Sequence, residues 1–208
     1  MALNAANVRV GAGRIYMGTT APAAGNAIDL SAAGVPPSGV EVGLTDGEAV
    51  FTYEVTYFEV MAEQSLAAVE VYATEEAAQL EFTMKEYVRA NIEDFFASLL
   101  TTTVGAPGNP GPAGGTDIYE GGRILGSAAG AGEVTLQSCL LVAPIPNTSA
   151  VAQRYTYVIL YQSYQSESAA VRYAKSGDSL LKCTFKAIAD LTRADTTTLF
   201  QVAIERNA

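Results

Sequence analysis

Ser179-Leu-Leu-Lys182 has the spacing of the SxxK nucleophile pair of serine acyl-transferases. It falls in a run that reads as a strand. Residues three apart on a strand face opposite sides, so Lys182 is badly placed to take a proton from Ser179. Glu75-Glu76 is a carboxylate pair, but beside an expected turn it reads as solvated charge. The glycines at 11, 13 and 18 lack the GxGxxG spacing of a dinucleotide loop, and no GxxxxGK[ST] loop is present. Asn147-Thr-Ser149 is a glycosylation sequon that matters only in a secreted chain. Cys139 and Cys183 each lie inside a mostly apolar run and are expected to be buried free thiols.

The chain of 208 residues contains no histidine, which removes more chemistry than any motif adds. Ser-His-Asp triads, Cys-His dyads and HExxH metal sites all require imidazole. Two cysteines cannot build a four-thiolate zinc site. What remains is carboxylate, lysine or tyrosine chemistry. A carboxylate glycosidase stays formally open, although the chain has no tryptophan to line a sugar cleft. No catalytic residue, metal ligand or cofactor site is expected.

The formal net charge is −10, from 12 Lys+Arg against 22 Asp+Glu. That balance argues against a sequence-reading nucleic-acid binder. Between Glu41 and Asp94 there are 13 acids, opposed only by Lys85 and Arg89, so this stretch carries −11 and the rest of the chain carries +1. The first 28 residues hold Arg9 and Arg14 and no acid. No apolar run reaches the roughly 18 residues of a membrane span. The opening residues lack a charged region followed by an apolar one, so no signal peptide is expected.

The elements that would position these groups follow from periodicity. Residues 8–17 read as a short strand, and residues 18–39, rich in Ala, Gly, Pro and Ser, as a surface loop. Phe51-Thr-Tyr53-Glu-Val55-Thr-Tyr57 alternates cleanly, with a phase slip at Phe58 that predicts a bulge or strand end. With Val69-Glu-Val71-Tyr-Ala73 it forms a long hairpin over about 50–73. Ala78 to Met84 alternates again as a separate strand. Tyr87, Val88, Ile92, Phe95, Phe96 and Leu99 recur at helical spacing, and Thr83-Met-Lys-Glu86 fits a capping box. The spacing predicts one amphipathic helix over 84–100, then a Gly/Pro-rich surface loop over 101–117. Strands follow at about 133–142, 155–161, 181–187 and 199–204. Tyr155, Tyr157, Ile159 and Tyr161 share one face of theirs. The whole is a mainly β single domain spanning 1–208 with an N-terminal arm over 1–14. Its expected architecture is a β-sandwich or barrel with one flanking helix and a long hairpin.

The order of parts resembles the major tail tube proteins of long-tailed bacteriophages with flexible tails. Arg9-Val-Gly-Ala-Gly-Arg-Ile-Tyr16 is similar to that family's opening strand. Gly47-Glu-Ala-Val-Phe-Thr-Tyr53, Phe58-Glu-Val60 and Gln64-Ser65 resemble its long hairpin. Leu80 to Met84 running into Glu86 to Leu99 resembles its strand-then-helix unit. Leu181 to Asp190 and Leu199-Phe-Gln-Val202 resemble its closing strands. The likeness spans nearly the whole chain and rests on pattern and order rather than on one motif. The Gly/Pro loop has no counterpart and reads as an insertion.

The resemblance implies a structural virion protein of the tail, assembled in the host bacterial cytoplasm, without catalysis or cofactor. It implies homohexameric rings stacked into a hollow tube on a tape-measure protein, closed by terminator and tip proteins. Double-stranded DNA would pass through the tube transiently, and no membrane is involved. A DNA conduit should repel phosphate. The polar faces of the hairpin strands carry Glu48, Thr52, Glu54, Glu70 and Tyr72, which are assigned to the lumen. The opposite faces, with Phe51, Tyr53, Val55, Val69 and Val71, are assigned to the core side. The hairpin tip carries Tyr57, Phe58, Val60, Met61 and Leu66, assigned with Arg9 and Arg14 to contacts between rings. Two other classes fit the composition: a carbohydrate-binding or adhesive β-sandwich module, and a carboxylate- or tyrosine-based enzyme. A ring subunit of a phage-derived secretion or injection device is a near relative of the first reading.

Overall fold

Period-2 alternation makes strands because it gives each side of an extended chain one polarity. The computed structural model describes residues 13–23, 25–30, 34–43, 45–61, 68–85, 100–104, 117–121, 136–145, 154–167, 171–172, 180–193 and 198–205. They form β1 (Arg14–Met17), β2 (Val40–Glu41), β3 (Thr45–Met61), β4 (Ala68–Met84), β5 (Leu100–Val104), β6 (Asp117–Gly121), β7 (Gln137–Ile145), β8 (Arg154–Gln165), β9 (Val171–Arg172), β10 (Leu180–Ile188) and β11 (Phe200–Ile204).

The main sheet runs in the order β2-β1-β7-β8-β10-β4-β3, with β11 added to β8 and β9 to β10. Every pairing is antiparallel. One edge of β8 is shared: Gln162 to Gln165 pair with β10, and Thr156 to Leu160 pair with β11. The sheet is not closed, since β2 and β3 stand at its two ends and do not pair with each other. β5 and β6 form a separate two-stranded sheet.

Both faces of the sheet bury apolar side chains. One cluster runs from Ile15 and Met17 on β1 through Cys139, Leu160, Leu181, Cys183 and Phe185 to Leu80, Phe82 and Met84 on β4. The rings of Phe82 and Phe185 stack with centroids 5.9 Å apart. The other face holds Leu140, Val142, Tyr157, Ile159 and Tyr161, roofed by Ile28 and Leu30. β7 and β8 are therefore buried on both sides.

The expected face of β8 matches the structure, and β10 alternates as well. Tyr157, Ile159 and Tyr161 enter one cluster with Tyr155 packed against it, and Leu181, Cys183, Phe185 and Ala187 enter the other. Both thiols are buried and free.

Other expectations change. The segment 18–39 was expected to lie on the surface as a loop, yet Ile28 and Leu30 are buried in the second cluster. The Ile28 N–H donates to the Tyr157 hydroxyl at 2.8 Å, and Gln201 Nε2 donates to the Asn26 carbonyl at 2.9 Å. Gly34 lets the segment turn against the sheet: its φ is 78°, and a Cβ there would lie 2.4 Å from the Tyr155 ring. The predicted helix over 84–100 falls on residues 86–99, outside the described residues. At its ends, Met84 closes β4 and Leu100 opens β5. Thr101 to Val104 were expected in the Gly/Pro loop but pair with β6 as a strand, in register Leu100 to Gly121. The Gly/Pro run over 105–116 also lies outside the described residues, as do arm residues 1–12.

Candidate functional site

The residues that spacing singled out for catalysis do not converge. Lys182 is exposed on β10 and lies 3.5 Å from both Glu81 and Glu167, which raise its pKa. Ser179 falls outside the described residues. Glu75 and Glu76 sit opposite Thr56 and Val55 in mid-strand, so they point to opposite faces and cannot act as a pair. Burial pushes the Cys139 and Cys183 thiols well above their ordinary range, which makes them poor nucleophiles. Among the described residues, no group of three or more Cys, Asp or Glu is placed to hold a metal ion. Nor is any helix among them long and apolar enough to cross a membrane.

The feature that stands out is the β3–β4 hairpin. Each strand has 17 residues, about 55 Å at ~3.3 Å per residue. At its base the hairpin belongs to the sheet. Leu80, Phe82 and Met84 are in the core, Lys85 holds Asp46 at 2.9 Å, and the rings of Phe51 and Tyr53 lie 5.1 and 4.9 Å from Phe200 on β11. Past Val55 it outruns the sheet. From Thr56 to Met61, and from Glu70 to Glu76, every side chain is exposed except the partly buried Val60. Tyr57, Phe58, Met61, Val71 and Tyr72 are each more than half exposed.

The register assigns the faces, because directly opposite residues of an antiparallel pair share one. Phe51 faces Leu80, Tyr53 faces Ala78 and Val55 faces Glu76, and this row continues through Tyr57 opposite Ala73 and Glu59 opposite Val71. The other face holds Thr52 opposite Gln79, Glu54 opposite Ala77, Phe58 opposite Tyr72 and Val60 opposite Glu70. Between them the register shifts once: Thr56 pairs with Glu75 and Tyr57 with Ala73, leaving Thr74 as a bulge. The Thr74 hydroxyl donates to the Thr56 carbonyl at 3.1 Å there.

Two sequence expectations are corrected at this point. The turn expected near Glu75-Glu76 does not exist, and β4 runs unbroken from Ala68 to Met84. Apolar residues sit at odd positions up to Ala73 and at even positions from Ala78. A one-residue bulge produces that phase change without a turn. The slip at Phe58 is not a bulge in β3 either. Tyr57 and Phe58 are both large because both faces of the hairpin are exposed there.

The two assigned sets of residues interleave. Thr52, Glu54, Glu70 and Tyr72, given to the lumen, share a face with Phe58 and Val60, given to contacts between rings. Glu48 is exposed beside Gly47, where the register shifts again. Tyr57 lies on the opposite face. Met61 is exposed opposite Ala68. Leu66 and Arg9 fall outside the described residues. Arg14, on β1, lies 3.4 Å from Glu41 of the neighbouring β2 strand. Val71, expected on the core side, is exposed because it lies beyond the end of the sheet.

Glu59 and Glu76, which sequence reading assigned to neither set, complete the surface. The Tyr72 hydroxyl donates to the Glu70 carboxylate, which raises the tyrosine's pKa. Tyr53 is raised as well, by desolvation first and then by Glu76. Each face of the hairpin therefore joins tyrosines to carboxylates. Glu59 and Glu76 belong with Tyr53 and Tyr57. The signal that would have found them is the length of the alternation once the bulge is allowed for. Against known proteins, no family model and no curated protein matches the chain.

Proposed function

We propose that the chain is a structural, non-catalytic subunit that polymerises, of the kind found in phage tail tubes. The observation that carries this reading is the half of the β3–β4 hairpin that outruns the sheet with large apolar side chains on both faces. A two-stranded ribbon is marginal alone in water, and exposed aromatics on it favour association. β3 is also the edge strand of an open sheet, and its 17 residues include neither proline nor lysine. An edge of that length is a template for another chain.

Charge supports the direction of contact. Two acidic ribbons repel one another, so a ribbon fits better against the near-neutral remainder of a second copy. Such a heterologous contact generates rings or filaments rather than closed dimers. In the fullest form of the proposal, six copies close each ring and the sheet contributes to a barrel wall. In this reading the segment between β4 and β5, residues 86–99, supplies the helix against that sheet, and ribbons reach the next ring. The tube then grows on a tape-measure protein between terminator and tip proteins, in the bacterial cytoplasm, and passes DNA from the virion.

The register dictates the test, since Tyr57 pairs with Ala73. Replacing Tyr57 through Ala73 by a tight turn should leave a folded monomer whose stability in urea is within about 1 kcal/mol of wild type, because none of the described side chains in that span belongs to either core cluster. Negative-stain microscopy over a concentration series should show tubes or rings for wild type and none for the variant. Tubes from the shortened protein, or a wild type that stays monomeric throughout, would defeat the proposal.

A further inference from the structure

We infer that the ribbon carries an ionic-strength gate on assembly, a regulation that rests on the self-assembly reading above. Two opposed forces sit on the same two strands. Tyr57, Phe58, Met61, Val71 and Tyr72 present exposed apolar surface that gains from being covered. Glu54, Glu59, Glu70, Glu75 and Glu76 lie among them, all exposed. No lysine or arginine occurs anywhere from Thr45 to Met84.

Several of the described cations are already engaged elsewhere. Arg14 is engaged with Glu41, Lys85 with Asp46, and Lys182 with Glu81 and Glu167. The Arg193 guanidinium lies over the Tyr161 ring at 3.7 Å. Among the described residues the five ribbon carboxylates make no ion pair. Every copy added to an assembly brings a formal charge of −10, concentrated on the part that must make the contact.

Solution ions therefore decide which force prevails. The screening length falls from about 30 Å at 0.01 M salt to about 3 Å at 1 M. Same-face neighbours along a strand are about 7 Å apart. At low salt the carboxylate rows of ribbons that assembly brings near one another repel as whole rows, and at high salt each carboxylate acts almost alone. The apolar attraction does not depend on screening. Association is thus held off at low ionic strength and released as it rises.

The test uses the full chain in sodium chloride, with sedimentation velocity and negative-stain microscopy giving the lowest concentration at which ordered assemblies appear. For wild type that concentration should fall by about tenfold or more between low and high salt. A variant carrying Glu54→Gln, Glu59→Gln, Glu70→Gln, Glu75→Gln and Glu76→Gln keeps shape and hydrogen-bonding capacity but removes the charge. It should assemble at low salt and lose most of the salt dependence, with an unchanged circular dichroism spectrum. If the variant keeps the wild-type dependence, salt is acting on apolar contacts elsewhere and the gate is refuted. If wild-type assembly weakens with salt, the carboxylates pair with cations of a neighbour, and the gate is again refuted while self-assembly stands. If neither protein assembles in any salt, self-assembly itself falls and the gate with it.

Discussion

Tyr157 ties three parts of the molecule together through one oxygen. Its hydroxyl accepts the Ile28 N–H at 2.8 Å and donates to Gln201 Oε1 at 3.1 Å. The segment that roofs the second cluster is thus pinned to β8, and β8 to β11. Burial raises the pKa of this phenol, and the Ile28 hydrogen bond only partly offsets that. A phenol whose folded pKa is raised holds its proton longer in the native state than in the unfolded one. Its contribution is complete below the unfolded value of about 10 and is lost as pH climbs toward the folded value. Stability in urea should therefore fall above about pH 10. Tyr157→Phe should cost about 1–3 kcal/mol at neutral pH, by leaving the Ile28 amide without its partner, and should flatten the alkaline decline. An alkaline slope equal to wild type would show that other groups set it.

At the scale of elements, the strands divide into two classes. β7 and β8 have neighbours on both edges and apolar cover on both faces, whereas the distal parts of β3 and β4 have only each other. Backbone amides of Leu140 and Ile159 should exchange hydrogen only on global opening, and those of Phe58 and Tyr72 orders of magnitude faster. Native-state exchange measured by NMR checks this, and equal protection would mean that the ribbon is covered in the monomer. The same division explains what sequence patterning revealed. β8 and β10 were legible because each face meets a uniform environment, so Tyr157, Ile159 and Tyr161 separate cleanly from their neighbours. The 18–39 segment was not, because Ile28 and Leu30 are two isolated apolar residues without a period. Tyr57 and Phe58 misled because alternation reports burial, and neither side of the ribbon is buried. Glu75-Glu76 imitated a turn because a bulge at Thr74 shifts the phase by one residue.

For the whole molecule, the acidic segment has become a location. Eight of its 13 acids lie on the two strands of the β3–β4 hairpin, and the face with Glu54 and Glu70 also carries Phe58, Tyr72 and Val60. One face thus combines exposed apolar side chains with carboxylates, and under the proposed tube reading reversing its charge should affect DNA more than it affects the fold. Glu54→Lys with Glu70→Lys should leave thermal stability nearly unchanged, since both residues are exposed. If the chain forms tubes as proposed, tubes of this variant assembled and cross-linked at high salt should retain double-stranded DNA once moved to low salt and release it as salt rises again, whereas wild-type tubes treated alike should retain none. Equal retention by both would place these glutamates away from the DNA path.

The strand order has a further consequence, for the newly made chain. β4 ends at Met84, yet its neighbour on the body side is β10, which begins only at Leu180. The β3–β4 pairing is local in sequence, whereas β10 reaches β4 only by closing a long loop, which is slow. In that interval the row of Phe51, Leu80 and Phe82 faces water on an unprotected edge, the condition under which nascent strands pair wrongly with those of other chains. The glutamates along the hairpin are present from the start, and charges flanking an apolar strand are the composition that disfavours such mispairing.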